Sequence, residues 1–498
     1  MDFGDQPLTS LTKPELVGLL YNFGDRLAAV EKALAGVQSS EAALRVRNAE
    51  LSARVVELEA RLKKDSHNSG KPPSSDGYGK KPSPKSLRQK GERPSGGQPG
   101  HPGRTLEMSA SPTRTVLLDL PACSGCGADL RSVAPDGRDS RQVFDLPPLV
   151  LESVQYDAER KRCPCCGLAQ SAAFPSDVAQ PAQYGPGIKA LALYLSAHQL
   201  LPSDRTAGML SDLFGCTFSE GTLDSALRRA GQVLEPVAAA VKDGVARSAV
   251  VHFDESGVRV EGSLHWLHVA CTESLTHYEV CKRRGRAALE QIGMLPGFDG
   301  TAVHDGFESY WSFGCPHGLC NAHHLRELTF LEEQYKQEWA AAMKRLLLRI
   351  KKSVDAAKAR QAAGLSLLLR YVYEEEYGSL VEEGYRQNPR AERQGKGRPK
   401  QSKGHNLVWR LDRGKREALA FMNDFSIPFD NNQAERDIRM IKVRQKISGC
   451  FRTQEGAKIF SRIRGYVSTM RKQGHNALEV LMSVASGKPT APLVPAPT

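Results

Sequence analysis

The chain has 498 residues and a formal net charge of +12, from 68 Lys and Arg residues against 56 Asp and Glu residues. This length exceeds what one ordinary hydrophobic core supports, so we expect three or more folded units joined by linkers. The positive charge is clustered, which favours a polyanionic partner such as nucleic acid.

Apolar runs and cysteine content indicate where in the cell the protein is expected. No stretch approaches the roughly 18 uninterrupted apolar residues of a membrane span, and the first residues lack the apolar region of a signal peptide. The 11 cysteines are an odd number, and four of them lie in CxxC pairs. We therefore expect reduced cysteines, no membrane partner and a cytoplasmic location.

Residues 1–64 are predicted to form a coiled-coil helix. Apolar residues repeat in heptads at two seam positions, first Val30, Val37, Leu44, Leu51 and Leu58, and second Leu27, Leu34, Val55 and Leu62. Glu41 and Asn48 interrupt the second seam, and a buried Asn there favours two strands in a fixed register. The pattern predicts a parallel homodimer. The alternative is one long amphipathic helix packed on its own domain.

Residues 65–113 are predicted to be a basic, disordered linker. The segment is rich in Lys, Pro, Ser and Gly, a composition that cannot bury a hydrophobic core. It is either a solvated tether or a basic arm that lies along phosphates, and composition does not separate the two.

Residues 114–180 are predicted to form a small zinc-binding domain. The ligands in this prediction are two CxxC pairs, Cys123 with Cys126 and Cys163 with Cys166, whereas Cys165 is a bystander. Four thiolates suit tetrahedral zinc, which supplies folding free energy to a segment with little core of its own. A redox pair or unrelated buried cysteines are the alternatives.

Residues 181–245 are predicted to be a helical region that resembles a helix-turn-helix. Two helical patterns are joined through Gly215, and Ser219 is placed to cap a second helix over about Glu220–Ala230. That helix ends in Arg228 and Arg229, the candidate DNA-binding residues. An ordinary pair of packed helices gives the same pattern.

Residues 246–324 change to strand-like runs, and two aspartates sit where apolar runs end. Asp254 follows "VVHF" and Asp305 follows "TAVH". A third acid, Glu435, lies in the segment 417–486. Three converging carboxylates suit Mg²⁺, and paired ions of this kind promote phosphodiester chemistry.

The stretch "FDNNQAERDIRMIKVRQK" is predicted to be a helix that places Glu435 in its first turns. Asn431 or Asn432 is positioned to cap this helix. Three basic residues follow on or beside the same face and are candidate phosphate contacts, namely Arg436, Arg439 and Lys442.

Two further segments complete the chain. Residues 325–416 are predicted to be a mostly helical insertion with a basic loop, which either contacts DNA or is mobile. Residues 487–498 are predicted to be a disordered tail.

A series of long motifs resembles the large transposase of IS66-type insertion sequences. In order they are "NSGKPPSSD", "GGQPGHPGR", the CxxC pairs, "HFDESGVRV", "HDGFESY", "CNAHHLREL", "FDNNQAERDIRMIKV" and "GCFRTQEGAKIFSRIRGYVSTMRKQG". Position by position, the family's catalytic acids fall on Asp254, Asp305 and Glu435. The resemblance implies a DDE enzyme that uses Mg²⁺ or Mn²⁺ for DNA cleavage and strand transfer at element ends, with structural Zn²⁺.

The expected architecture is therefore multidomain: an N-terminal α-helical coiled coil, a small zinc-binding domain, a helical DNA-binding region, and an α/β RNase H-like catalytic domain with a helical insertion. The expected partners are double-stranded DNA, a second copy of the chain or a larger assembly, and small accessory proteins of the element. The expected location within the cytoplasm is the bacterial nucleoid. A catalytically inactive DNA-binding regulator and a metal-dependent nuclease are the alternatives.

Other candidate site residues are weaker. Cys320 and His323 resemble a C-x-x-H signature that follows the second aspartate in several DDE families, with a structural role. With Cys315 and His317 they would instead form a second metal site. Glu308, close after Asp305, is an alternative member of the acid triad.

Overall fold

The computed structural model describes residues 12–64, 68–69, 106–392 and 399–495. The chain divides into two compact units. The first contains Met1–Pro84, His323–Arg349 and Tyr373–Asp412, and the second contains Lys85–Ala322, Ile350–Val372 and Arg413–Thr498. Most of the linker predicted over residues 65–113 lies outside the described residues. Across the described ranges, no helix is long and apolar enough to cross a membrane.

The first unit begins with one long helix, α1 (Lys13–Leu62). Glu15 in its first turn accepts hydrogen bonds from the N–H and the hydroxyl of Thr12, at 2.8 and 2.6 Å. The apolar seam residues are between 43% and 87% exposed in this single chain. Near the helix end, Lys400 donates to the Glu57 carboxylate. The long helix is confirmed, and its pairing into a coiled coil stays a prediction.

The region of the CxxC pairs carries little regular structure. Two short exposed strands, β1 (Arg160–Arg162) and β2 (Ala169–Ser171), pair antiparallel around the second CxxC pair. An isolated antiparallel bridge between Ala122 and Asp129 flanks the first pair. Exposed strands of this length bury little apolar surface, so the region needs another source of folding free energy.

A helical segment follows. Its elements are α2 (Pro186–Leu193), a π-helical turn (Tyr194–His198), α3 (Ser203–Phe214), α4 (Glu220–Val233) and α5 (Glu235–Ala246). Gly215 ends α3 with a φ of 64°, which glycine adopts without strain. The Ser219 side chain accepts the Thr222 N–H at 3.1 Å and caps α4. The predicted helix pair and its cap are confirmed, although α4 extends beyond the predicted end at Ala230.

The second unit contains a five-stranded mixed sheet. Its elements in chain order are β3 (Val250–Val260), β4 (Ser263–Cys271), β5 (Thr276–Cys281), α6 (Arg286–Ile292), β6 (Thr301–His304) and β7 (His317–Leu319). The order in space is β5-β4-β3-β6-β7. The pairs β3–β4 and β4–β5 are antiparallel, whereas β3–β6 and β6–β7 are parallel. β3 is therefore the central strand.

Apolar cores cover both faces of this sheet. Side chains alternate along a strand, so neighbouring residues of β3 face opposite cores. Phe253 belongs to a core with Leu289 and Tyr310, whereas Val258 belongs to a core with Ile438. Any charged side chain in the middle of β3 therefore enters a largely apolar environment.

Between β7 and residue 424 the structure describes six helices. They are α7 (Asn321–Tyr335), α8 (Glu338–Ala359), α9 (Leu367–Gln387), α10 (Lys403–Arg413), α11 (Lys415–Ala418) and α12 (Ala420–Asn423). These helices agree with the mostly helical insertion predicted over residues 325–416. Residues 393–398 of its basic loop lie outside the described residues, so DNA contact by the loop stays a prediction.

Three helices end the second unit, α13 (Asn432–Ser448), α14 (Gln454–Lys472) and α15 (Ala477–Ala485). α13 packs against β3 and β4, and α14 packs against β5 and α4. α15 packs against α2. The helical segment before the sheet and the last helices therefore share one core, in which Ile463 and Leu481 are fully buried.

The chain after α15 differs from the disordered tail predicted over residues 487–498. The Gln473 side chain donates to the Leu493 carbonyl and accepts the Leu493 N–H, both at 2.8 Å. Val494 packs against the sheet core beside Leu275. The prediction was wrong as far as residue 495, because prolines reduce the entropy lost on ordering and Val494 finds apolar neighbours that composition does not reveal. Residues 496–498 lie outside the described residues.

Candidate active site and metal-binding residues

The two predicted aspartates lie in one strand and directly after its parallel neighbour. Asp254 is in β3, and Asp305 directly follows β6. The parallel register pairs His252 with Val303, and continuing it by two residues places Asp254 beside Asp305. Neighbouring strands lie about 4.8 Å apart, so two residues in register present their side chains next to each other on one face.

The predicted glutamate reaches the same face of the sheet. Glu435 is half-buried in the first turn of α13. Ala434 and Ile438 of this helix share a core with Val258 of β3. Val258 and Asp254 are four residues apart in one strand and therefore point to the same face. The three acids therefore share one face of the sheet, and Asp305 and Glu435 lie close enough to raise the pKa of Asp254. Among the described residues they do not form a group of three ligand atoms within 4.8 Å of one another.

The electrostatics of Asp254 reflect this grouping. Burial raises the pKa of its carboxyl well above the ordinary value of 3.8, and the negative charges of Glu255, Asp305 and Glu435 raise that pKa further. A hydrogen bond from the Glu255 N–H, at 2.8 Å, opposes this effect. Asp305 accepts the Phe307 N–H at 2.9 Å. In the described part of the chain Asp254 forms no ion pair. A bound cation would therefore stabilise its ionised form.

The next residue, Glu255, was missed by the sequence reasoning. Arg284 pairs with its carboxylate at 2.8 Å, and the Tyr310 hydroxyl donates to it at 2.6 Å. The Arg284 guanidinium also lies over the rings of Trp266 and Phe307, at 4.8 and 4.0 Å from their centroids. The signal was available in "HFDES": two consecutive acids in a central strand must face opposite cores.

The start of α13 is held differently from the prediction. Asn431 occupies the N-cap position, but its side chain makes no capping bond. Instead it bonds to β3, with its Nδ2 donating to the Phe253 carbonyl at 2.8 Å. The Asp430 carboxylate accepts the Asn432 N–H at 3.1 Å. An Asn at the helix start was predicted, whereas its bonds to the strand were not.

The weaker candidates separate from one another. The Cys320 sulfur lies within 4.8 Å of the Glu435 carboxylate and accepts the Asn431 N–H at 3.1 Å. His317 instead bonds to His304 at 3.1 Å. Among the described residues, neither His317 nor Cys315 belongs to a group of three or more ligand atoms within 4.8 Å of one another. The predicted alternative of a second metal site that includes both therefore lacks geometric support.

Glu308, the alternative triad member, is exposed and pairs with Arg413 at 3.1 Å. Its side chain is 71% exposed, unlike the buried or half-buried acids of the candidate site. Its position makes it a suitable control for the acids of the site.

The candidate DNA-binding residues are all exposed. In α4, Arg228 pairs with Asp224 at 2.7 Å, and Arg229 follows it on the surface. In α13 the exposed residues are Arg436, Arg439 and Lys442. Lys442 also donates to the Gly257 carbonyl at 3.2 Å. The positive charges of α13 thus lie on the helix that carries Glu435.

Each CxxC pair forms the same turn. The Gly127 N–H donates to the Cys123 carbonyl and the Gly167 N–H to the Cys163 carbonyl, both at 2.9 Å. These glycines have φ values of 74° and 76°. In this repeated turn Cys165 takes the place of Gly125, which agrees with its prediction as a bystander.

The turns favour thiolates. Backbone N–H groups of Cys126 and Gly125 lower the pKa of the Cys123 thiol, and those of Cys166 and Cys165 lower the pKa of the Cys163 thiol. Such sulfurs suit zinc. The structure does not bring the pairs together: among the described residues these cysteines form no group of three or more ligands within 4.8 Å.

The mixed sheet carries acidic residues on one face, and a separate segment of the chain contains two cysteine turns. These features define a multidomain protein with a candidate metal-dependent site. The model of the Transposase IS66 family matches residues 181–459, more than half of the chain. The zinc-finger binding domain of transposase IS66 matches residues 121–167, and a family of unknown function (DUF6444) matches residues 26–107. The chain belongs to the IS66 transposase family. No curated protein gives a match.

Membership makes DNA processing the general activity and DNA the partner of this chain. The zinc-finger match spans all four predicted cysteine ligands and supports structural zinc. The transposase match spans the three acids of the candidate site.

Proposed function

We propose that this chain is a DDE transposase that performs divalent-metal-dependent DNA cleavage and strand transfer at the ends of an insertion sequence. Asp254, Asp305 and Glu435 are the catalytic acids in this proposal. The observation that supports it is that Asp254 in β3, Asp305 directly after the neighbouring parallel strand, and Glu435 in the first turn of α13 share one face of the sheet, where Asp305 and Glu435 raise the pKa of Asp254.

The strand arrangement supports an RNase H-like assignment for the catalytic domain. Three antiparallel strands, β3, β4 and β5, come first in the chain. β6 then lies parallel to β3, and β7 lies parallel to β6. Asp254 belongs to the central strand, and Asp305 directly follows the neighbouring parallel strand. The helix with Glu435 packs over the central strand after a helical insertion.

The donor set fits a hard divalent cation. Carboxylate oxygens are the ligands that Mg²⁺ prefers, and Mn²⁺ accepts the same set. Burial first, and then the neighbouring acids, raise the pKa of Asp254, and a bound cation would offset both effects. When bound, such ions would activate the attacking oxygen and stabilise the leaving oxygen of a phosphodiester.

The chain's own residues bind and orient the DNA. Asp254 and Asp305 hold fixed positions through the sheet register, and hydrogen bonds from the Glu255 and Phe307 N–H groups orient their carboxylates. Arg436 and Arg439 on α13 would contact the phosphates near the reacting bond. Water attacks the phosphodiester in the first step and the freed 3′ hydroxyl attacks target DNA in the second, without a covalent protein intermediate.

The assembly in this proposal pairs two DNA ends. The exposed heptad seam of α1 would be covered by the same helix of a second copy, as a parallel coiled coil. Helix α4, with Arg228 and Arg229, and the basic linker would add DNA contacts. Small accessory proteins of the element belong to this proposal as further partners.

A DNA cleavage assay tests the function. Purified protein is incubated with a labelled duplex that carries the element end, with Mg²⁺ or with EDTA. We expect Mg²⁺-dependent nicking at the end, lost in Asp254→Asn and Glu435→Gln but retained in the surface control Glu308→Gln. A joining assay with target DNA then separates a transposase from a nuclease.

Two results would contradict the proposal. Equal cleavage by Asp254→Asn and the wild type would remove the acids from catalysis. Tight end binding without cleavage in every variant, also after the element's accessory proteins are added, would make the chain a DNA-binding regulator.

The zinc ligands are tested by a matched pair of cysteines. Cys166→Ser removes a proposed ligand, whereas Cys165→Ser makes the same change in the adjacent residue. We expect zinc content, measured by mass spectrometry of the purified protein, to fall in the first variant and to stay at the wild-type level in the second. The reverse pattern would assign Cys165 as the ligand.

A further inference from the structure

Asn431 is a buried amide whose polar groups bond to separate parts of the second unit. It is 1% exposed. Its Nδ2 donates to the Phe253 carbonyl at 2.8 Å, and because the amide oxygen can only accept, the His252 Nδ1–H donates to Oδ1, also at 2.8 Å. The Asn431 N–H donates to the Cys320 sulfur at 3.1 Å. One residue thus contacts the central strand and the chain segment after β7.

These contacts connect two of the proposed catalytic acids. His252 and Phe253 immediately precede Asp254 in β3. On the other side, the Asn431 carbonyl accepts the Glu435 N–H at 3.2 Å, which begins the helical hydrogen-bond pattern of α13. The path from Asp254 to Glu435 through Asn431 therefore consists of adjacent peptide units and short hydrogen bonds.

The chemistry of the position restricts it to an amide of this length. Asn offers a donor and an acceptor side by side, which the Phe253 carbonyl and the His252 N–H both require. Asp lacks the donor and would direct a carboxylate oxygen at the Phe253 carbonyl, whereas Ala would leave both buried groups without their partner.

Helix capping does not explain the residue. Asn at the N-cap ordinarily accepts an N–H of the first helical turn, and the loss of such a bond costs about 1 kcal/mol. Asn431 makes no such bond. The Asp430 carboxylate takes the Asn432 N–H instead, which leaves the Asn431 side chain committed to β3.

We propose that Asn431 is a positioning residue that sets the distance between Glu435 and Asp254 for divalent-metal binding. The inference rests on the proposed function, because it assumes that these acids are metal ligands. Residues that orient metal ligands through hydrogen bonds alter metal affinity or activity by about 10- to 100-fold when they are removed. A residue that only stabilised the fold would leave the metal affinity of the folded protein unchanged.

The direct test is Mn²⁺ binding to the DNA-free, zinc-loaded full chain, measured by calorimetry. The variant is Asn431→Ala, and the matched control is Asn432→Ala, the same change in the next residue. Unfolding curves and binding to the element-end duplex are recorded for both. We expect Asn431→Ala to raise the Kd for Mn²⁺ about 10- to 100-fold with DNA affinity unchanged, and Asn432→Ala to stay within about twofold of the wild type.

A folded Asn431→Ala protein with wild-type Mn²⁺ affinity would overturn the inference. If that variant does not fold, His252→Phe decides, because it removes one of the bonds and keeps a ring in the core. We expect a smaller rise in Kd for His252→Phe, and an unchanged Kd would overturn the inference.

Asp254→Asn distinguishes this inference from the proposed function. Loss of Mn²⁺ binding in Asp254→Asn together with normal binding in Asn431→Ala would refute the positioning role and leave the acid triad intact. Equal Mn²⁺ binding by Asp254→Asn and the wild type would refute the proposed function, and the positioning role with it.

Discussion

The two faces of the central strand β3 treat consecutive carboxylates differently. Glu255 lies among apolar residues with a guanidinium at 2.8 Å and a hydroxyl at 2.6 Å. Asp254, on the opposite face, is surrounded by further acids and accepts only a backbone N–H among the bonds described for it. Burial raises the pKa of both carboxyls, and Asp305 adds to the rise at each. At Glu255 the Tyr310 hydroxyl and the Arg284 guanidinium oppose the rise, whereas at Asp254 only a backbone N–H opposes it.

The largest expected effect comes from breaking the compensated face. Arg284→Met keeps most of the side-chain volume over Trp266 and Phe307 but leaves Glu255 buried without its cation. We expect a loss of about 3 kcal/mol in the free energy of unfolding, the low end for a buried pair, because the Arg284 side chain is 39% exposed and Tyr310 still donates to Glu255. Urea denaturation of the full chain measures it.

The control is Arg286→Met, because Arg286 pairs with Glu290 on the surface of α6. That pair should contribute less than about 1 kcal/mol. If both variants lost the same stability, the Arg284–Glu255 pair would stabilise the fold no more than a surface pair does. That result would contradict the proposed difference between the two faces of β3.

A metal ion should compensate the other face. We expect saturating Mn²⁺ to raise the unfolding free energy of the wild type by about 2.7 kcal/mol at a concentration of 100 times the Kd. Asp254→Asn should not respond, because it lacks a ligand. Thermal unfolding with Mn²⁺ and with EDTA measures this, and equal stabilisation of both proteins would place the ion elsewhere.

Without metal, Asp254 should cost stability in a pH-dependent way. Its pKa is raised in the folded state, so the folded protein holds the proton more tightly than the unfolded chain does. Stability therefore falls as the pH rises from about 3.8 through the raised pKa, and the loss stays constant above it.

The corresponding variant is Asp254→Asn in EDTA. It should be more stable than the wild type by about 1–3 kcal/mol at neutral pH, with the difference shrinking as the pH approaches 3.8. Unfolding free energies at several pH values check this. A variant that is less stable than the wild type at neutral pH would show that the protein itself compensates the charge.

The smallest expected effect comes from an exposed basic residue of α13, the helix that carries Glu435. Arg439→Ala removes one exposed charge of α13 and should weaken binding to any duplex by about the same factor, reducing the slope of log Kd against log salt by about 1. Glu479→Ala, a surface change in α15, is the control. An unchanged slope in Arg439→Ala would show that Arg439 does not contact DNA phosphates.

Much of this arrangement could be predicted from local sequence. The Ser219 cap depends on neighbouring residues, and the structure contains it. Asp305 directly follows β6, whereas Asp254, which also follows an apolar run, lies within β3. The family motifs identified the IS66 transposase family, which the family match confirms.

The contacts between distant residues could not be predicted. Asn431 meets residues 179 and 178 positions earlier, and Arg284 meets Glu255 across 29 positions. Such pairs depend on strand register and on how α13 packs, which periodicity does not contain. For the same reason the order of residues 487–495 was missed, because it depends on where Val494 finds a core.

The central claim is that the uncompensated face of β3 is a divalent-metal site. The most direct measurement is anomalous X-ray diffraction from crystals of the protein soaked in Mn²⁺. We expect an anomalous peak bounded by the carboxylates of Asp254, Asp305 and Glu435 and absent in Asp254→Asn crystals. A fully soaked crystal with no peak at these carboxylates would contradict it.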